Sequence, residues 1–230
     1  MFFHSGSKKY SRFNAALLGS AILLVFLTVS LTFAGSVVRG YFAQMNKLFF
    51  DRIAVRFESS GASHLARTRQ QLLDHINQAP TNEDATLRFV NDLLNRIPQI
   101  ADSVHWGLED YWATPAELIA SNGGSCHDFA LAKYFALRES GIPAEKLRLT
   151  YVKSFQSGKI ENHMVLAYYS APKAEPFLLD NIIPQMVPAS KRPDLLPVYE
   201  FNGELSEQSN GSATRKWDSL VEHMNKEFAL

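Results

Sequence analysis

Gly123-Gly124-Ser125-Cys126-His127-Asp128-Phe129-Ala130, followed by Asn162-His163-Met164-Val165-Leu166-Ala167-Tyr168-Tyr169 and Phe177-Leu178-Leu179-Asp180, is the part of the chain that decides the fold. The first block is a flexible turn that delivers a cysteine onto the first turn of a helix. Ser125 suits the N-cap, and Asp128, three residues on, completes a capping-box pattern. The helix is predicted from about Cys126 to Glu139 and ends at Gly141-Ile142-Pro143. After Pro143 the pattern changes to strands, over 147–155, 162–169 and 175–180. A helix carrying a nucleophile at its N-terminus, set against an antiparallel sheet, predicts an α+β fold.

Upstream, Phe42, Met45, Phe49, Ile53 and Phe57 recur at helical spacing, so residues 40–79 read as helix, broken into two at Ser59-Ser60-Gly61. Asn82 or Thr81 caps a further helix with an apolar face of Ala85, Leu87, Phe89, Val90, Leu93 and Leu94, stopped by Pro98. An aromatic-rich loop through Trp106, Tyr111 and Trp112 precedes a short helix at Pro115–Ala120. Residues 203–215 read as a polar linker, and a short terminal helix spans Trp217–Phe228. Residues 40–230 therefore read as one domain.

Of 230 residues, 46% are hydrophobic and 20% charged, which excludes a disordered chain and a multi-span membrane protein. Basic and acidic side chains number 23 each, so no global basic field points to nucleic acid. The charge is unevenly placed. Residues 1–50 hold five basic side chains and no acidic one, leaving 18 basic against 23 acidic in the rest. Lys8, Lys9 and Arg12 precede 24 uncharged residues from Ala15 to Val38, closed by Arg39. That length spans a bilayer as a helix, while Thr32-Phe33-Ala34 offers small residues spaced for a signal peptidase. Residues 1–39 are thus a cleaved signal peptide or an inner-membrane anchor. In either case the basic flank stays in the cytoplasm and everything after Arg39 is exported, which predicts a periplasmic domain.

The lone cysteine, Cys126, forbids an intramolecular disulfide and a Cys-based zinc site. Free cysteines are ordinarily small buried core residues. In an exported chain, however, an unused thiol is an oxidation liability, and at a helix N-terminus the dipole favours the thiolate. A turn at Ser170-Ala171-Pro172-Lys173 centred between 171 and 172 sets His163 directly opposite Asp180, with Cβ atoms about 5 Å apart. Asp180 would then accept the imidazole Nδ1–H and leave Nε2 facing the thiol. No G-x-S-x-G elbow, H-E-x-x-H or Walker A sequence competes. Trp106 and Trp112 are expected to pack around the site.

Blocks around these residues resemble the bacterial transglutaminase-like cysteine proteinases. The resemblance is carried by Trp106-Gly107, Asp110-Tyr111-Trp112-Ala113-Thr114-Pro115, Gly124 to Ala130, Leu147 to Lys153, His163 to Leu166, Leu179-Asp180-Asn181, Arg192-Pro193-Asp194-Leu195 and Trp217-Asp218-Ser219-Leu220. Together these cover roughly residues 60–225. The resemblance implies a papain-like/transglutaminase-like fold with Cys126, His163 and Asp180 as catalytic triad and no organic cofactor. It also implies cleavage near the amino terminus of a large surface adhesin, which releases cells from biofilm, and sequestration by an inner-membrane receptor for cyclic di-GMP. Calcium is expected from the family, whose cysteine typically stands in Asp-Cys-Glu-Asp. Here Ser125 and His127 replace two of the acidic residues and only Asp128 remains as a calcium ligand, so the expectation is weak or absent binding. A protonated His127 would partly replace the metal's charge beside the thiol. A transglutaminase-type acyl transfer and a decayed, membrane-anchored binding module are the alternative readings of the same residues.

Overall fold

The computed structural model describes residues 38, 40–78, 82–156, 158–204 and 211–229. The segment read as signal peptide or anchor, apart from Val38, lies outside these residues. Among the described residues no helix is long and apolar enough to cross a membrane. Helix α1 (Lys47–Asn77) starts at an Asn46 cap whose side-chain oxygen accepts the Phe49 N–H at 3.0 Å. It buries Phe49, Ile53, Leu65 and Leu72. The expected break falls earlier than predicted, at Phe57 and Glu58, where Glu58 has φ 59° and ψ 174°. Gly61 continues the helix and is buried against the backbone of α4 (Pro115–Ala120). A Cβ at Gly61 would lie 2.5 Å from the Ala120 carbonyl oxygen. The glycine therefore serves close approach of two helices, not chain reversal.

Asn82 caps α2 (Glu83–Leu94), accepting the Asp84 N–H at 2.9 Å. Leu87, Val90, Leu93 and Leu94 are buried as the pattern predicts, whereas Ala85 is exposed. A single turn, α3 (Asp102–His105), stands where the sequence read as loop. Helix α5 (Cys126–Glu139) has the expected bounds and is buried from His127 to Leu137. Its Phe-Ala-Leu-Ala-Lys-Tyr-Phe-Ala-Leu run is apolar on nearly every side, the mark of a central helix. This helix packs on the sheet and on α2 and α4.

The sheet is antiparallel throughout, in the order β4-β3-β2-β1-β5. Its strands are β1 (Leu147–Gln156), β2 (Lys159–Tyr168), β3 (Phe177–Leu179), β4 (Val187–Pro188) and β5 (Leu195–Phe201). The first three were legible from pattern. The edge strand β5 was not, because Pro197 interrupts it. Proline is tolerated there on the sheet edge, beside a register shift at Tyr151/Val152. The terminal helix α6 (Gly211–Phe228) begins six residues before Trp217, and Ala213 is already buried. The linker prediction fails at 211–215, which are helical, and at Glu204, which pairs with Arg138 at 2.5 and 3.0 Å. Residues 205–210 lie outside the described residues.

The main core lies between α1, α2, α4, α5, α6 and one sheet face; a small second cluster of Val152, Val165, Ala167, Leu178 and Leu195 covers the other face. Replacing Gly61 by Ala should lower stability by about 1–3 kcal/mol, because the added methyl meets a fixed backbone carbonyl rather than a movable side chain. Thermal melting of Gly61→Ala checks this; an unchanged midpoint would show that α1 and α4 can separate freely.

Candidate active site

Cys126 is the first residue of α5, with Ser125 extended before it (φ −91°, ψ 173°). The capping box forms: Asp128 Oδ2 accepts the Ser125 N–H at 2.8 Å. Its other oxygen, Oδ1, accepts the Ala113 N–H at 2.8 Å, so one buried carboxylate fastens the loop before α4 to the start of the nucleophile helix. Trp112, next to that loop residue, is buried and stacks on Phe201 at 6.2 Å and on His127 at 6.0 Å. Trp106 packs against His105, Tyr111 and Phe57. Both tryptophans are packing residues, as expected.

His163 is the first buried position of β2, after four exposed residues. Asp180 follows directly on the last residue of β3. The pairing of these strands differs from the prediction by two residues: Leu166 faces Leu179 and Tyr168 faces Phe177. His163 and Asp180 are therefore diagonal rather than opposite. A shift of two keeps both on one face, whereas a shift of one would have parted them. They still meet, with His163 Nε2 2.8 Å from Asp180 Oδ1. The ring is turned the other way from the prediction. Nε2 is taken by Asp180, which leaves Nδ1 for Cys126, whose thiol is hydrogen-bonded to the His163 side chain.

Residues to which the sequence reading assigned no role hold this pair. Arg192, buried, places Nη1 2.8 Å from Asp180 Oδ2 and bonds Asp194 through Nε and Nη2 at 2.9 and 2.8 Å. The Ile182 N–H donates to Asp180 Oδ1 at 3.0 Å, and Asn95 Nδ2 donates to the Asp180 carbonyl at 2.8 Å. Lys133, one helix face below, is fully buried, and its ammonium lacks a hydrogen-bond partner among the described residues. Burial pulls it down to about 7, against the attraction of Asp180 and Asp92. Arg192 and Asp194 were quoted in the sequence only as similarity. Their signal was the two-residue spacing that lets one guanidinium grip two carboxylates.

The charges are coupled. Burial alone would raise Asp180, but hydrogen bonds and charge from His163, the Ile182 N–H and Arg192 outweigh it and keep the carboxyl well below its usual range. Burial would lower His163, yet Asp180 and Cys126 raise it to about 9. Burial would raise Cys126, yet hydrogen bonds and charge from His127 and His163 lower it to about 6. Between these values the thiolate–imidazolium pair is the resting form.

The His127 side chain does not point to solvent. It is 8% exposed, and its Nε2 faces the Tyr111 carbonyl oxygen at 2.7 Å and Asp102 Oδ2 at 3.2 Å. Despite burial, Asp102, Cys126 and Asp128 raise its pKa well above the ordinary histidine value. Asp102 joins His127 and Asp128 in one buried cluster. Asp102 has no role in the sequence reading, where it falls in the loop between Pro98 and Pro115. These side chains do not fit calcium as they stand, because a ring nitrogen occupies the point on which the oxygens converge.

Comparison with known proteins agrees with this geometry. The family model described as "Bacterial transglutaminase-like cysteine proteinase BTLCP" matches residues 62–223. Among solved structures, Legionella pneumophila LapG superposes with a TM-score of 0.62 at 33% identity, covering 76% of this chain and 97% of that one. Its EGTA-treated form gives 0.62 at 32% identity over the same shares of each chain, and its calcium-bound form 0.60 at 34%, covering 76% and 98%. No curated protein sequence matches.

With one thiol in the chain, alkylation by iodoacetamide reads Cys126 alone. The rate should be near its plateau at pH 7 and fall as pH drops through about 6, because the thiolate is lost below the depressed pKa. Arg192→Met should move that midpoint upward, with partial return in Arg192→Lys, since the guanidinium acts on the thiol through Asp180 and His163. A wild-type midpoint near the ordinary thiol value of about 8.5 would contradict the resting ion pair.

Proposed function

The chain belongs to the bacterial transglutaminase-like cysteine proteinase family and is a cysteine peptidase of that fold, and from this premise we propose that it is an exported endopeptidase that cuts the amino-terminal region of a large surface adhesin. The observation that carries the mechanism is the His163 ring held by Asp180 on Nε2, which leaves its other nitrogen for the Cys126 thiol that interacts with the same ring. In this reading the thiolate of Cys126 attacks the scissile carbonyl carbon. The oxyanion forms at the start of α5, where the Cys126 backbone N–H is the proposed donor. The proton on His163 Nδ1 passes to the departing amine, leaving a thioester and a neutral ring. His163 then takes a proton from water, hydroxide adds to the thioester, and the carboxylate product leaves as Cys126 returns to its thiolate. Asp180 and Arg192 keep the ring in one orientation through both halves.

The adhesin substrate, biofilm release and sequestration by an inner-membrane cyclic di-GMP receptor rest on the sequence blocks shared with the family. Export to the periplasm, with or without an inner-membrane anchor, rests on the basic flank and uncharged stretch of residues 8–39. Calcium enters the proposal as weak or dispensable, supported by the hydroxyl of Ser125 and the imidazole of His127 where carboxylates would serve.

Incubating the protein with the amino-terminal region of a co-encoded adhesin tests the reading by gel. Cys126→Ala and His163→Ala should each lose at least about 10⁴-fold of cleavage, and Asp180→Asn should lose less, since it misorients the ring without removing it. Cleavage by Cys126→Ala at the wild-type rate would sink the mechanism. Incorporation of a labelled amine in place of hydrolysis would reassign the enzyme to acyl transfer. For export, amino-terminal sequencing of protein recovered from cells should show either loss of the leader or an intact Met1 in the membrane fraction; intact protein in the cytoplasm contradicts it.

A further inference from the structure

We propose that the His127 ring is the built-in occupant of an oxygen-lined site that calcium would otherwise fill, and that it performs the ion's tethering between the 102–112 segment and the nucleophile helix. Four oxygens surround one atom, His127 Nε2: the Tyr111 carbonyl at 2.7 Å, Ser125 Oγ at 2.9 Å, Asp102 Oδ2 at 3.2 Å and Asp128 Oδ1 at 3.5 Å. They come from α3, the aromatic loop and the start of α5, segments that nothing in local sequence forces together. A carbonyl oxygen only accepts, so Nε2 carries a hydrogen and donates it to Tyr111.

Such oxygen convergence exceeds what one N–H needs. Calcium takes six to eight oxygens at about 2.3–2.6 Å, and the spacing here is that of hydrogen bonds. Asp102 Oδ1 is buried with no hydrogen-bond partner among the described residues, on a side chain only 7% exposed. That spare acceptor is unexplained by the ring, which reaches Oδ2 alone, and it is what a divalent cation would use. The ring cannot leave cheaply, because it is stacked on Trp112, which is itself stacked on Phe201. The remaining carboxylate contacts are backbone amides, Asp128 to Ser125 and Ala113 and Asp102 to Tyr111, and the Ser125 hydroxyl, which donates to Asp128 Oδ2 at 3.3 Å. The same backbone is therefore braced whether the centre holds a metal or a ring N–H. The substitution has a direction. Returning carboxylates to positions 125 and 127 should restore dependence on the ion.

The test compares melting of the full-length protein in 1 mM calcium and in excess chelator, with calcium titrated into chelator-treated protein by calorimetry. Neither readout uses catalysis, so the outcome is separate from whether the proposed substrate is right. The wild type should melt within about 1 °C under both conditions and give no saturable heat at micromolar calcium. The double variant Ser125→Asp/His127→Glu should melt about 5 °C or more higher in calcium than in chelator, the shift expected for roughly 100-fold saturation of a single site in a chain of this size. His127→Ala should melt lower than wild type in chelator, having lost the tether. Micromolar binding by the wild type, or a calcium-dependent melt in it, would overturn the proposal. So would a folded double variant that ignores calcium. If the double variant does not fold, the wild-type titration and the His127→Ala melt still decide.

Discussion

The carboxylate of Asp128 is the constraint on which the rest of the site depends. Buried at 1% exposure, it accepts the N–H of Ser125 and the N–H of Ala113 at 2.8 Å each. The first bond fixes where α5 begins, and so where Cys126 stands. The second ties that point to the loop that carries Tyr111 and Trp112 and leads into α4. Burial raises this carboxyl to about 7, against the charge of His127 and the two amide donors. The charge is held only because the amides and the ring surround it. Remove them and the group neutralises, which loosens the helix start and the loop together.

A second grip acts from the sheet side. His163 sits where β2 outruns β3 and pairs only with Val152 of β1, Asp180 follows the end of β3, and Arg192 closes the gap by bridging Asp180 and Asp194. The reactive pair thus lies between a helix that presents the thiol and a sheet end that presents the base. Each is locked by a buried carboxylate, Asp128 through two backbone amides and Asp180 through His163, the Ile182 N–H and the Arg192 ion pair. This division explains why the thiol is acidic although burial opposes it: two imidazoles, His127 on α5 and His163 on β2, act on Cys126 from different elements.

Much of this was legible in the sequence, and the reasons for the rest are physical. The bounds of α4 and α5 followed from capping residues and glycines, which act locally. The strands of the central hairpin followed from alternation. The meeting of His163 with Asp180 survived an error of two in register because side chains alternate with period two, but the ring's orientation could not, since nothing in spacing says which nitrogen faces the acid. Arg192 and Asp102 were illegible as site residues because their partners are distant in sequence. Edge strand β5 was hidden by Pro197, and the start of α6 by small polar residues that read equally well as linker.

Cys126 is partly exposed, acidic and without a second cysteine anywhere in the chain. An acidic exposed thiolate is also the form that peroxides attack. A sulfenic acid formed there has no resolving thiol within the molecule, so it cannot be stored as an internal disulfide. It must wait for a small-molecule thiol or another protein, or oxidise further to a dead end. The features that make the nucleophile ready thus also make the lifetime of the active enzyme a function of the reductants around it.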